Sequence, residues 1–121
     1  MNTRHKTCYI AGPMTGIDRY NFPAFYEAAD RLRHLGYGVV NPAEFGHDLE
    51  MHWEDCMKRD IPLMLTCDFV VVLPGWHESK GARLEADIAN ALGMPVRSLY
   101  NVIHSWAIFR DPIKDSVSAC L

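Results

Sequence analysis

A short apolar run that stops at a proline-glycine pair and restarts as a helix constrains this chain more than any other stretch. Phe69 to Leu73 is such a run, Pro74 and Gly75 break it, and from Gly81 the apolar residues Leu84, Ile88 and Leu92 recur three to four positions apart. That pattern predicts a strand, a loop and a helix. In an α/β sheet the loop beyond the carboxyl end of a strand is where ligands sit, and the following helix turns free backbone N–H groups toward them. Glu85 falls in the first turns of this helix. Its carboxylate either stabilises the helix end or reaches into the crevice and acts on what binds there.

The rest of the chain supplies more units of the same kind. Cys8 to Ala11 is short and apolar, and Gly12-Pro13 cuts it off, which predicts a first strand running into a loop. That loop, residues 12 to 21, carries Gly12 and Gly16, where backbone can approach a ligand, and offers Thr15, Asp18, Arg19 and Asn21 as polar contacts; taken alone it reads as an ordinary surface loop. Asn21 is placed as an N-cap and Pro23 as an early helical residue, with Phe25, Ala28, Ala29, Leu32 and Leu35 on one face and Gly36 as the stop. Tyr37 to Val40 predicts a second strand. Trp53 to Thr66 predicts a helix with Trp53, Met57, Ile61 and Met64 or Leu65 inside, bent or restarted at Pro62, which would put Asp60 near a break. Val96 to Tyr100 predicts a fourth strand, Asn101 to Phe109 is a short helix or a partner-facing segment, and residues from Asp111 onward are expected to be poorly ordered. Strands alternating with helices predict an α/β fold, Rossmann-like with flavodoxin-like order, in which a parallel sheet of four to five strands is flanked by helices. The simplest order is 2-1-3-4, which sets the loop after strand 1 against the loop after strand 3.

Composition narrows the function. With 121 residues, 49% hydrophobic and 22% charged, the chain reads as one domain over residues 1–121 with its own core. A formal net charge of -3 and no basic block speak against a nucleic-acid polymer or a membrane surface as partner. No apolar run reaches the length of a membrane span and no secretory leader is visible, so a cytoplasmic location is expected. Cys8, Cys56, Cys67 and Cys120 lack zinc spacing and read as free thiols, and His47 and His52 have no third matched ligand, so no metal is expected.

Four stretches taken together resemble the nucleoside 2-deoxyribosyltransferase superfamily: Tyr-Ile-Ala-Gly-Pro-Met at 9–14, Arg-Asp at 59–60, Cys-Asp-Phe-Val-Val-Val at 67–72 and Ser-x-Gly-x-x-x-Glu-x-x-x-Ala at 79–89. The resemblance covers roughly residues 7 to 100 and is nearest to the superfamily's short uncharacterised domains and its 2'-deoxynucleoside 5'-phosphate N-hydrolase branch. It implies a Rossmann-like domain that cleaves the N-glycosidic bond of a nucleoside or nucleotide without a cofactor. Glu85 matches the family's nucleophile and Asp60 its second catalytic acid. Gly12, Pro13, Met14, Arg19, Gly75, Ser79, Lys80 and Gly81 are the expected substrate contacts.

Ser79 stands where the transferases carry an aspartate that reads the sugar 5'-hydroxyl. The phosphohydrolase branch is similar in having serine there. A serine hydroxyl, the Lys80 ammonium and helix N–H groups suit a 5'-monophosphate, with Arg19 as a further phosphate contact, although Glu78 adds a negative charge to the same loop. The other reading of Ser79 is a plain helix cap. Two neighbouring carboxyls disfavour joint ionisation, so one of Glu85 and Asp60 is expected to titrate high and carry a proton to the leaving base. Transfer between bases and nucleotide binding without turnover are the alternatives. A lysine-decarboxylase-like phosphoribohydrolase is echoed more loosely, by Pro74-Gly75 and Glu85. Trp106, Ile108 and Phe109 and the family resemblance point to a homo-oligomer.

Overall fold

Four short apolar runs pair side by side as parallel strands: β1 (Thr7–Ala11), β2 (Gly38–Val40), β3 (Phe69–Val72) and β4 (Val96–Ser98), in the order β2-β1-β3-β4. The computed structural model describes residues 6–46 and 51–110, with side chains through Ser105. Helices α1 (Phe22–His34), α2 (Trp53–Met64), α3 (Lys80–Ala91) and α4 (Leu99–Arg110) alternate with the strands. The order is the one the strand-helix alternation predicts, with four strands described.

Parallel central strands are covered on both faces, so their residues read as unbroken apolar runs. All four residues of β3 are buried. On one face Cys8, Ile10, Phe69 and Val71 pack against Phe25, Ala28 and Leu32 of α1 and Val102 of α4. Tyr9, Ala11, Val70 and Val72 point the other way, onto Met64 of α2 and Ala82 and Ala89 of α3. Burial of a side chain such as Leu32 stabilises the fold by about 1.5–3 kcal/mol.

The structure revises several local expectations. The buried face of α3 is Ala82, Glu85, Ala86 and Ala89, whereas Leu84 is 36% and Leu92 62% exposed. Small side chains bring this helix close to the sheet, and Glu85 goes under with them. In α2 the buried residues are Met57, Asp60 and Met64, and Leu65 is exposed. That helix continues through Pro62, so Asp60 sits inside a helix and not at a break. Pro62 cannot donate to the Lys58 carbonyl four residues back, and the helix runs only as far as Met64 beyond it.

Strand β4 ends at Ser98, whose hydroxyl accepts from the Asn101 amide at 3.1 Å as α4 begins, so the segment after it is helical. Asn21 occupies the N-cap position of α1 but does not cap it; with φ at 61° its amide turns away and donates to the Pro13 carbonyl at 3.0 Å. Among the described residues no helix is long and apolar enough to cross a membrane. The side chains of Trp106, Ile108 and Phe109, and all of His47, Cys120 and the tail from Asp111, lie outside the described residues.

Candidate active site

The carboxyl end of β1 and the entry into α3 open into a cavity of about 710 Å³ on the α2–α3 side of the sheet. Its floor is the outward end of β1, where Tyr9 alternates with the apolar residues of the other face. One wall is the loop from Gly12 to Thr15, a second is α2 through Trp53, Met57 and Asp60, and the third is the start of α3. A Cβ on Gly12 would stand 3.0 Å from the Leu73 Cβ, so glycine here lets the two strand ends meet and the loops come together.

Glu85 and Asp60 both line this cavity, and each is buried, at 6% and 7% exposure. The Tyr9 hydroxyl donates to Glu85 Oε2 at 2.7 Å. Burial, the largest influence, pushes the Glu85 carboxyl up from 4.5 to about 8; the Tyr9 hydrogen bond pulls it down and the Asp60 charge adds a further rise. Burial and the nearby Glu85 carboxylate also hold the Tyr9 phenol well above its ordinary value, so it stays a donor.

The raised Glu85 carboxyl is the one matched to the nucleophile, and the main cause is dehydration rather than its acidic neighbour. Asp60 is arranged differently. Arg59 Nε donates to Asp60 Oδ1 at 2.7 Å, while Arg59 Nη1 donates to the Gly46 carbonyl at 3.2 Å and the guanidinium lies 5.9 Å from the Phe45 ring centre. The ion pair thus ties Asp60 to the segment before α2. It turns the Asp60 carboxylate into an oriented acceptor facing the cavity.

Residues 6–98 match a protein family described as a domain of unknown function, DUF4406. The chain belongs to this family. Among solved structures, a 2-deoxyribosyltransferase from Bacillus psychrosaccharolyticus is 21% identical over 76% of this chain and 70% of its own, with a TM-score of 0.60. At that identity the likeness shows a shared fold. No curated protein matches the chain.

Within this DUF4406 domain, Gly12, Pro13, Met14, Ser79, Lys80 and Gly81 join Glu85 and Asp60 around the cavity. Ser79 caps α3, its hydroxyl accepting from the Ala82 amide at 3.1 Å. The Lys80 ammonium sits 4.0 Å above the Trp53 ring, a cation–π contact that holds the charge at the cavity wall. Arg19 and Gly75 do not join them. Arg19 is outside the cavity, 73% exposed and paired with Asp18 at 3.3 Å. It belongs to a left-handed turn, Arg19-Tyr20-Asn21, with φ values of 52°, 53° and 61°. Gly75, at φ 85°, adopts a conformation suited to glycine and lines a different cavity behind the loop.

Tyr9, Trp53 and Arg59 have no chemical role in the sequence reading. The signal for Tyr9 is a phenol inside a buried apolar strand, because a buried hydroxyl requires a partner. Nothing local announces the Trp53–Lys80 contact, which depends on how α2 packs against α3. Among the described residues no group of three or more His, Cys, Asp or Glu could hold a metal ion.

Proposed function

We propose that this domain cleaves the N-glycosidic bond of a nucleoside or nucleoside 5'-monophosphate, with Glu85 as the nucleophile. The observation that carries the reading is a buried glutamate, hydrogen-bonded by Tyr9, sharing one cavity with a second carboxylate that Arg59 orients. A glutamate oxygen forms a bond to the anomeric carbon as the carbon–nitrogen bond breaks, and the bonding pair leaves on the base, which takes a proton from solvent. Water then attacks the glycosyl ester and frees Glu85. Asp60 accepts from a sugar hydroxyl or a base amino group and fixes the reacting carbon against Glu85.

The nucleophile must be ionised. With its carboxyl at about 8, roughly a tenth of Glu85 is anionic at pH 7. A sugar that gains positive charge as the base departs favours that form. The 5'-monophosphate is the preferred substrate because Lys80 lines the cavity beside the N-terminus of α3.

Base transfer is the second reading, favoured by the fold shared with a protein described as a 2-deoxyribosyltransferase. Incubating the purified protein with a panel of nucleosides and 5'-monophosphates, with and without a second free base, decides between them by chromatography. Free base alone supports hydrolysis and a new nucleoside supports transfer. Neither product, at any pH from 6 to 9, rejects the glycosidase reading.

A further inference from the structure

Behind the loop that follows β3, on the α1–α4 side of the sheet, lies a second cavity of about 440 Å³, a volume within the range of small-molecule sites. It is formed by the end of β3, the turn through Trp76 and His77, the first turns of α4, and Arg31 of α1. The short turn Trp76–Glu78 divides the two cavities, with Trp76 and His77 on this side and Glu78 on the other.

Two features of the lining specify a ligand. The first is charge: the Arg31 guanidinium lines the cavity, none of the described residues lining it is acidic, and Arg31 makes no ion pair with any described carboxylate. The second is ring surface. The Trp76 and His77 rings lie 3.9 Å apart at 34°, and those of Tyr100 and His104 are stacked at 4.8 Å and 19°. Tyr100 keeps 68% of its surface open, so its ring has area to offer.

We propose that this cavity is a second ligand site that takes a planar aromatic or heteroaromatic anion. Its ring stacks on the Tyr100–His104 or Trp76–His77 pair, and its phosphate or carboxylate pairs with Arg31. A bare anion would leave the rings uncovered, and a neutral ring would leave the guanidinium unpaired. The proposal does not rest on the glycosidase reading, since none of these residues lines the cavity that holds Glu85 and Asp60.

Trp76 gives a direct readout once Trp53 and Trp106 are replaced by phenylalanine. Titrating that single-tryptophan protein with 1-naphthyl phosphate should produce a saturable change in Trp76 emission, while inorganic phosphate and 1-naphthol each bind at least about tenfold more weakly. Arg31→Ala and Tyr100→Ala, both exposed positions that leave the core intact, should each weaken the phosphate probe by about tenfold. Calorimetry on the chain with all its tryptophans keeps the test independent of those replacements, and there the same two variants should remove the same binding event. The site is overturned if no saturable change occurs, or if binding survives both variants undiminished. It is equally overturned if sedimentation shows a dimer that Tyr100→Ala dissociates and that excludes the probe, which would make this face an interface between copies.

Discussion

The Tyr9 hydroxyl and Glu85 Oε2, 76 positions apart in sequence, meet at 2.7 Å in the floor of the larger cavity. The contact joins a strand interior to a helix whose buried face is otherwise alanine. Burial favours the neutral carboxyl and the phenol favours its anion, and the outcome at about 8 leaves Glu85 responsive to pH in the physiological range.

If that balance controls catalysis, kcat/KM rises by about tenfold per pH unit below pH 8 and levels above it. Tyr9→Phe removes the influence that favours the anion. The rising limb should move to higher pH, and activity at pH 7 should fall by about tenfold for each unit of movement. A pH–rate profile measures both quantities. A limb that stays in place would show that the phenol does not tune the carboxyl.

The same shift has a consequence for stability, opposite in sign to that of an ion-paired acid. Because the folded pKa, about 8, lies above the unfolded value near 4.5, the native state holds the proton more tightly. The penalty is absent below about pH 4.5, grows as pH rises, and is complete above pH 8. Its size is on the order of a few kcal/mol. Glu85→Gln, which never ionises, should therefore melt higher than the parent protein at pH 8 and close to it at pH 4.5, while losing cleavage altogether. Thermal melts across that window check the stability half, and equal melting temperatures at pH 8 would contradict it.

Asp60→Asn should move the profile the other way. Without the Asp60 charge the Glu85 carboxyl drops, so the limb shifts to lower pH even as the rate falls throughout for want of the oriented acceptor. Arg59 Nε then donates to an amide oxygen in place of a carboxylate while Nη1 keeps the Gly46 carbonyl, and losing the charge of the ion pair lowers stability by about 1–3 kcal/mol. Opposite limb shifts in Tyr9→Phe and Asp60→Asn would separate the hydrogen bond from the charge. Shifts in one direction would mean that both act only through packing.

The strand order could be read from the sequence because apolar runs alternating with helical patterns leave few parallel topologies. Glu85 could be located because its spacing from the central strand puts it in the first turns of α3. Its burial could not, because the leucines of that helix suggested a different inner face, and only the close fit of Ala82, Ala86 and Ala89 on the sheet reverses it. The partners of the two carboxyls diverge for the same kind of reason. Arg59 is adjacent to Asp60 in sequence, whereas Tyr9 reaches Glu85 only through the pairing of β1 with β3. Arg19 was out of reach too, since its placement follows from three successive left-handed residues that no common loop rule anticipates.

That left-handed turn offers a stability test at a residue outside the cavity. A non-glycine residue in this region is disfavoured by about 1–2 kcal/mol, and glycine removes the clash while adding about 0.5–1 kcal/mol of chain entropy to be lost on folding. Arg19→Gly should thus stabilise the fold by up to about 1 kcal/mol. Its KM for a 5'-monophosphate should stay within about twofold of the parent, because the guanidinium is paired with Asp18 outside the cavity. A large rise in KM would return Arg19 to the phosphate site.

Ser79 separates a structural role from a recognition role. Its hydroxyl accepts from the Ala82 amide at 3.1 Å, and aspartate is an equally good cap, so Ser79→Asp should melt within a few degrees of the parent. Ser79→Ala loses that bond and about 1 kcal/mol. The two variants part company in substrate preference. Ser79 lines the cavity next to Lys80, and a carboxylate there would repel a 5'-phosphate held by the ammonium and the free amides of α3. The ratio of kcat/KM for a monophosphate over its nucleoside should fall by about tenfold or more in Ser79→Asp, with the nucleoside itself turned over at the parent rate. In Ser79→Ala the ratio should hold if the hydroxyl only caps the helix, and should fall by a smaller factor if it also donates to the phosphate. A ratio unchanged in Ser79→Asp would place the phosphate elsewhere, whatever the fate of the Glu85 assignment.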